Sequence, residues 1–219
     1  MDRVWDAEDI IRLLENQTWG APVLIFKNAV FLHVPKTGGI WVRSAVTNAS
    51  IEFEEYIVDG DVHGDLSYCP FSDRFVFAFV REPLSLYRSY WRYKMGAGWD
   101  RRNPFDMECQ MATFEGFVAN VLSLEPAWCS RMFEDYVGPR TAEIDFIGRY
   151  ESLADDLVRA LHAAGETFDE AAIRNTPPSN VSSVNPDLAT WPSDLAERVR
   201  YSEREAIRRF GYGERPYPN

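Results

Sequence analysis

The chain of 219 residues has few cysteines, few basic residues and no long apolar run. Its three cysteines, Cys69, Cys109 and Cys129, are widely spaced and form neither a zinc motif nor an even disulfide framework. A reducing, cytoplasmic compartment is therefore expected. No stretch of about 18 apolar residues is present, so the sequence predicts no membrane span. The acidic, amphipathic first residues lack the basic-then-apolar order of a signal peptide.

Basic residues are also scarce: the chain has 23 lysines and arginines but 34 acidic residues, so its net charge is −11. This balance argues against duplex nucleic acid or an anionic membrane as the main partner. The hydrophobic content of 46% suits one sizeable core. We therefore expect a single domain over residues 1–219, in which residues 1–20 form an N-terminal helical extension.

One stretch, residues 30–48 (VFLHVPKTGGIWVRSAVTN), combines a strand, a glycine loop and a helix start. The apolar residues 30–34 predict a buried strand that ends at Pro35, and a helix is predicted from Ile40. Free backbone N–H groups and the helix dipole meet in the loop between them, where Lys36 adds a full positive charge. This combination predicts a phosphate or sulfate site.

A second buried strand is predicted over residues 74–80 (RFVFAFV), with Arg81 directly after it and a helix starting near Pro83. Further strands and helices alternate along the chain, separated by two long loops at residues 96–110 and 175–192. The pattern predicts an α/β fold in which helices flank a mainly parallel central sheet. Because ligands bind at the carboxyl ends of such strands, Lys36 and Arg81 should lie at one edge.

The order of residues in the loop argues against a nucleotide kinase. The Walker A pattern places its glycines before the lysine, whereas here Lys36 precedes Gly38 and Gly39 and no upstream glycine completes the pattern. A phosphoryl-transfer enzyme is therefore disfavoured, although it stays open as an alternative. An ordinary strand-to-helix turn without a ligand is the other alternative.

Two motifs resemble the sulfotransferases that use 3′-phosphoadenosine 5′-phosphosulfate (PAPS), most closely the heparan and related carbohydrate sulfotransferases. HVPKTGG resembles their 5′-phosphosulfate loop, and FAFVREPLSLYRSYW resembles their 3′-phosphate motif. Residues 144–153 and 210–212 resemble later segments of the family. The resemblance implies a P-loop-like sulfotransferase fold, PAPS as the cofactor, and a small-molecule or carbohydrate hydroxyl as the acceptor.

The resemblance also implies which residues bind the cofactor: Pro35, Lys36, Thr37, Gly38, Gly39, Ile40, Trp41, Arg81, Ser89, Arg149 and Ser182. Arg149 has a second interpretation, an ion pair with Glu151. Two positions depart from the family pattern, because Ile40 stands where a hydroxyl residue is usual and Leu86 stands where an arginine is common. Lower cofactor affinity is the expected consequence.

Catalysis by such an enzyme needs a group that neutralises the leaving phosphate and a base for the acceptor hydroxyl. The resemblance assigns the first role to Lys36. The segment HGDLSY, which starts at His63, resembles the family's H-G-H-x-x-Y segment. Either His63 is the base and Asp65 orients it, or Asp65 is the base; His63 is preferred because its pKa is near working pH. A solvated turn at His63, and a binding module without turnover, are the alternatives.

Overall fold

The computed structural model describes residues 23–56, 73–139, 144–179 and 184–213. Within these residues, five strands form one mixed sheet in the order β3-β1-β2-β4-β5. The strands are β1 (Val23–Ile25), β2 (Ala29–Leu32), β3 (Glu54–Tyr56), β4 (Phe75–Val80) and β5 (Phe146–Arg149). The predicted N-terminal extension, residues 1–20, lies outside the described residues.

The α/β class is confirmed, but the prediction of a mainly parallel sheet is wrong. Strand β2 pairs with β4 in parallel and β4 pairs with β5 in parallel, whereas β1 is antiparallel to both β2 and β3. The physical reason is the short connection between β1 and β2. Only residues 26–28 link them, and a parallel pair needs a crossover of a dozen or more residues, so a hairpin is the only solution.

Helices cover both faces of this sheet. In the part of the chain that the structure describes they are α1 (Gly39–Asn48), α2 (Pro83–Ala97), α3 (Pro104–Cys109), α4 (Phe114–Leu124), α5 (Trp128–Val137), α6 (Leu153–Ala163), α7 (Glu170–Arg174), α8 (Ser193–Ser202) and α9 (Arg204–Arg209). Two short 3₁₀-helices occupy Tyr150–Ser152 and Pro186–Ala189.

Side chains alternate between two apolar clusters along the central strands, as strand geometry requires. Phe31, Phe77 and Phe79 pack on one face, with α1 and α6. Leu32 and Val80 belong to the cluster on the other face, with α2, α4, α5 and α8. Burial on both faces explains why β4 is apolar throughout.

The predicted loop at residues 96–110 is partly helical. Helix α2 continues to Ala97, and α3 begins at Pro104, where the Asn103 side chain accepts a hydrogen bond from the Asp106 N–H at 3.3 Å. Proline at the first helical position and asparagine before it favour a helix start. The pattern of residues 193–210 predicts one last helix, which the structure divides at Glu203 into α8 and α9.

Candidate functional site

The structure brings three basic residues to one edge of the sheet. Arg81 follows the end of β4, Arg149 is the last residue of β5, and Lys36 lies in the loop after β2. These three strands are neighbours and run parallel, so their carboxyl ends share an edge. In a protein of net charge −11 this edge is a local concentration of positive charge.

The loop that carries Lys36 is held by its own backbone. Lys36 has a φ of 64° and Gly38 a φ of 96°, so two residues adopt left-handed conformations. The Thr37 hydroxyl is buried and donates a hydrogen bond of 2.8 Å to the Val34 carbonyl. This bond closes the turn and leaves the Thr37 backbone, rather than its hydroxyl, available to a ligand.

Helix α1 starts at Gly39 without any side-chain hydrogen bond at its N-terminus. The first N–H groups of a helix have no partner within the helix, and here they face the loop beside Lys36. Backbone donors, the helix dipole and a lysine therefore converge, which is an arrangement suited to an anion. Among the other predicted cofactor residues at this end, Pro35 is buried and Ile40 is exposed. The Trp41 indole donates to the Thr176 carbonyl at 3.3 Å.

The two glycines allow the loop to approach its neighbours closely. A Cβ at Gly38 would lie 2.6 Å from Leu153 Cδ2, and one at Gly39 would lie 2.0 Å from His33 Cδ2. His33 is itself buried and stacks against Phe31, with ring centroids 6.0 Å apart. His33 thus packs beneath the loop, which gives this histidine a structural role.

The contact between Gly39 and His33 leads to a stability prediction. We expect Gly39→Ala to lower the free energy of unfolding by about 1–3 kcal/mol, because the buried His33 ring has no space to move away. Denaturant unfolding measures the loss. Gly96→Ala is the matched control: its Cβ would meet only Val184 Cγ2 at 3.7 Å, and it should not destabilise the helix. Equal stability of both variants would contradict the contact.

Arg81 reaches the loop directly. Its Nη1 donates to the Lys36 carbonyl at 3.1 Å and its Nε donates to Ser85 Oγ at 2.9 Å. The guanidinium carbon lies 3.9 Å from the centroid of the Tyr150 ring. Two hydrogen bonds and a cation–π contact fix the guanidinium beside the lysine loop, so the two predicted anion-binding residues form one site.

Burial lowers the pKa of both cations of this site, and the nearby carboxylates of Glu151 and Glu82 partly offset the fall for Arg81. Lys36 Nζ lies 4.0 Å from the centroid of the Tyr93 ring. Burial, together with the charges of Arg81 and Lys94, lowers the pKa of Lys36 to about 7. Within the described residues no carboxylate lies at ion-pair distance from Lys36 or Arg81, whereas Lys94 pairs with the buried Asp106. A lysine whose charge is disfavoured by burial and by two neighbouring cations gains stability from a bound anion, so the site is suited to an anionic ligand.

Ser89 lies on the side of α2 that faces the lysine loop. It is one helical turn from Ser85, which binds Arg81, and one turn from Tyr93, which contacts Lys36. Residues four apart share a helix face, so Ser89 lies between these two contacts. Its hydroxyl has no hydrogen bond to another described residue.

Arg149 is at the same edge but further from the lysine loop. Its guanidinium lies 5.3 Å from the Tyr212 ring and also contacts Gly211. The ion pair with Glu151 is not observed, because Glu151 instead accepts hydrogen bonds from the Glu82 N–H and the Tyr212 hydroxyl. Arg149 therefore has no ion pair with another described residue, and its role in anion binding stays a prediction.

Three predicted residues, His63, Asp65 and Ser182, lie outside the described residues. The sequence did not single out Ser85, Tyr93 and Tyr150, which contact the predicted residues, and it gave Glu151 only as an ion-pair partner of Arg149. Ser85 and Tyr93 are each four residues from Ser89, and this helical spacing predicts that they lie on the same face of the helix as Ser89. Tyr150 and Glu151 follow β5 as Arg81 follows β4, and only the strand order shows that these two ends are adjacent.

In the described ranges, no group of three or more histidine, cysteine or acidic side chains is arranged to hold a metal ion, and no helix is long and apolar enough to cross a membrane. Comparisons with protein-family models, with curated proteins and with solved structures found no match to this chain.

Proposed function

We propose that the chain is a PAPS-dependent sulfotransferase that moves a sulfuryl group to a hydroxyl of a small-molecule or carbohydrate acceptor. The observation that supports this most is the direct contact between the Lys36 loop and Arg81 at the carboxyl edge of the parallel strands. Two anion-binding elements in contact, neither of which has a carboxylate at ion-pair distance among the described residues, suit a ligand that carries two separate anionic groups. From the motif resemblance we infer that this ligand is PAPS and that the fold is P-loop-like.

The residues divide between the two ends of such a ligand. The backbone N–H groups at Gly38 and Gly39, together with Lys36, suit the 5′-phosphosulfate, since a helix start and a lysine both favour negative charge. Arg81 and Ser89 suit the 3′-phosphate, since they lie on the neighbouring strand end and helix. Trp41, Arg149 and Ser182 complete the proposed cofactor site.

PAPS, when bound, supplies the activated sulfuryl group. The chain supplies three things: orientation by the loop, charge neutralisation of the leaving phosphate by Lys36, and a base that accepts the proton of the acceptor hydroxyl. His63 is the proposed base with Asp65 as its partner, or Asp65 in its place. The buried free thiols of Cys109 and Cys129 support a reducing compartment such as the cytoplasm.

A ligand-binding experiment separates this proposal from the phosphotransferase alternative. A ligand that binds only the folded state raises its stability. We expect 3′-phosphoadenosine 5′-phosphate, the product left after transfer, to raise the thermal midpoint without magnesium, and ATP with magnesium to have little effect. At 100 times its dissociation constant the ligand should add about 2.7 kcal/mol. Stabilisation by ATP–magnesium alone would favour the kinase-like alternative.

A binding module without turnover predicts the same stabilisation. Incubation with PAPS and a panel of hydroxyl acceptors distinguishes it, because an enzyme forms sulfated product and 3′-phosphoadenosine 5′-phosphate in equal amounts.

A further inference from the structure

The carboxylate of Glu151 connects two parts of the chain that are far apart in sequence. Glu151 lies in the 3₁₀-helix after β5. Its Oε1 accepts a hydrogen bond of 2.9 Å from the Glu82 N–H, and its Oε2 accepts one of 3.0 Å from the Tyr212 hydroxyl. One carboxylate thus joins the residue directly after Arg81 to the segment that follows α9.

The hydrogen bonds continue from Glu82 to the lysine loop. The Glu82 carboxylate accepts from the N–H groups of Leu84, at 3.0 Å, and Ser85, at 2.6 Å, and so caps α2. Ser85 Oγ in turn accepts from Arg81 Nε, and Arg81 Nη1 donates to the Lys36 carbonyl. An unbroken series of contacts therefore runs from Tyr212 through Glu151 and Glu82 to the anion site.

Arg81 depends on this series for its direction. Arg81 lies between the end of β4 and the start of α2. The backbone conformation at Glu82 therefore determines the direction in which the Arg81 side chain points. The Glu82 N–H that Glu151 binds fixes that backbone, and Glu82 also orients the Ser85 turn that holds Arg81 Nε. Removal of the Glu151 carboxylate leaves this N–H without its acceptor.

We propose that Glu151 is a positioning residue that holds Arg81 in its anion-binding orientation, with Tyr212 as its support. This inference rests on the proposed function for the identity of the ligand, whose 3′-phosphate Arg81 binds. Among the described residues, Glu151 accepts its hydrogen bonds from the Glu82 N–H and the Tyr212 hydroxyl, so its proposed action on the ligand is through Arg81. It makes the end of the last helix part of the cofactor site.

The test compares two ligands that differ in the 3′-phosphate alone: 3′-phosphoadenosine 5′-phosphate and adenosine 5′-monophosphate. Isothermal titration calorimetry gives the ratio of their affinities for the wild type and for Glu151→Ala, Glu151→Gln and Tyr212→Phe. We expect the ratio to fall about tenfold in Glu151→Ala, the effect of a lost hydrogen bond to a charged group. It should fall less in Tyr212→Phe and recover in Glu151→Gln, whose amide can replace both bonds.

Tyr87→Phe is the matched control for Tyr212→Phe. The Tyr87 hydroxyl also donates to a carboxylate, Glu203, at 2.9 Å, but in the core away from the site. Both variants lose one such bond and should lose similar stability. Of these two variants, only Tyr212→Phe should change the affinity ratio. The proposal would be overturned if Glu151→Ala and Tyr212→Phe both fold and both keep the wild-type ratio.

A second readout needs no ligand. In protein with ¹⁵N-labelled arginine, the Arg81 Nε–H signal is assigned by its absence in Arg81→Lys, and its exchange with solvent is measured. We expect exchange to accelerate at least about tenfold in Tyr212→Phe or Glu151→Ala. Unchanged exchange would overturn the positioning role. A wild type without preference for the 3′-phosphate would instead overturn the proposed function, whatever the exchange result.

Discussion

Lys36→Met is expected to lower kcat for sulfuryl transfer by about 10³-fold, the cost of removing one preorganised stabiliser of developing charge. Negative charge grows on the leaving phosphate during transfer, and Lys36 is the cation that the loop places beside the N-terminus of α1. Methionine keeps the length of the side chain and its packing over Tyr93 but cannot neutralise charge. Single-turnover kinetics with PAPS and an identified acceptor measure the chemical step.

Two controls separate a chemical loss from a structural one. Lys27→Met removes an exposed lysine from the hairpin turn before β2 and should leave kcat unchanged. Lys36→Met should unfold at a temperature no lower than that of the wild type, because it removes a charge that burial disfavours. If Lys36→Met kept more than about a tenth of the wild-type kcat, Lys36 would not be the charge-neutralising residue.

Local pattern was enough to predict the elements that form the site. The apolar runs that form β2 and β4 have side chains buried on both faces of the sheet. A proline or glycine shortly after each run indicates where the strand ends. Both signals are local, so the sequence alone predicts correctly that Lys36 and Arg81 lie at one edge of the sheet. The direction of β1 was not predicted, although the short connection at residues 26–28 implied a hairpin.

The parts that were missed depend on contacts between distant segments. Glu203, which divides the last helix, is buried and accepts hydrogen bonds from the Tyr87 hydroxyl and from N–H groups at the start of α5. Nothing within residues 193–210 indicates that break, because its cause lies more than 70 residues away. The same holds for Glu151, whose partners Glu82 and Tyr212 are separated from it by 69 and 61 residues.

The low pKa of Lys36 leads to the second large effect, a loss of ligand affinity at high pH. With a pKa of about 7, Lys36 is charged below pH 7 and becomes neutral above it. A bound dianion stabilises the charged form and raises this pKa. Between the two pKa values, binding must take up one proton, so the dissociation constant of 3′-phosphoadenosine 5′-phosphate should rise about tenfold per pH unit above 7.

The variant Lys36→Arg separates this dependence from that of other titrating groups, including the proposed base His63. Within the described residues, the charges that act on the Lys36 pKa are those of Arg81, a guanidinium that stays protonated, and Lys94, which pairs with Asp106. The phosphates of the ligand ionise near pH 6, so the ligand gains no charge above pH 7. Lys36→Arg keeps a permanent charge and should bind equally at pH 7 and pH 9. Calorimetry in buffers of different ionisation enthalpy measures the proton taken up, and wild-type binding without proton uptake at pH 8 would show that Lys36 is already charged in the free protein.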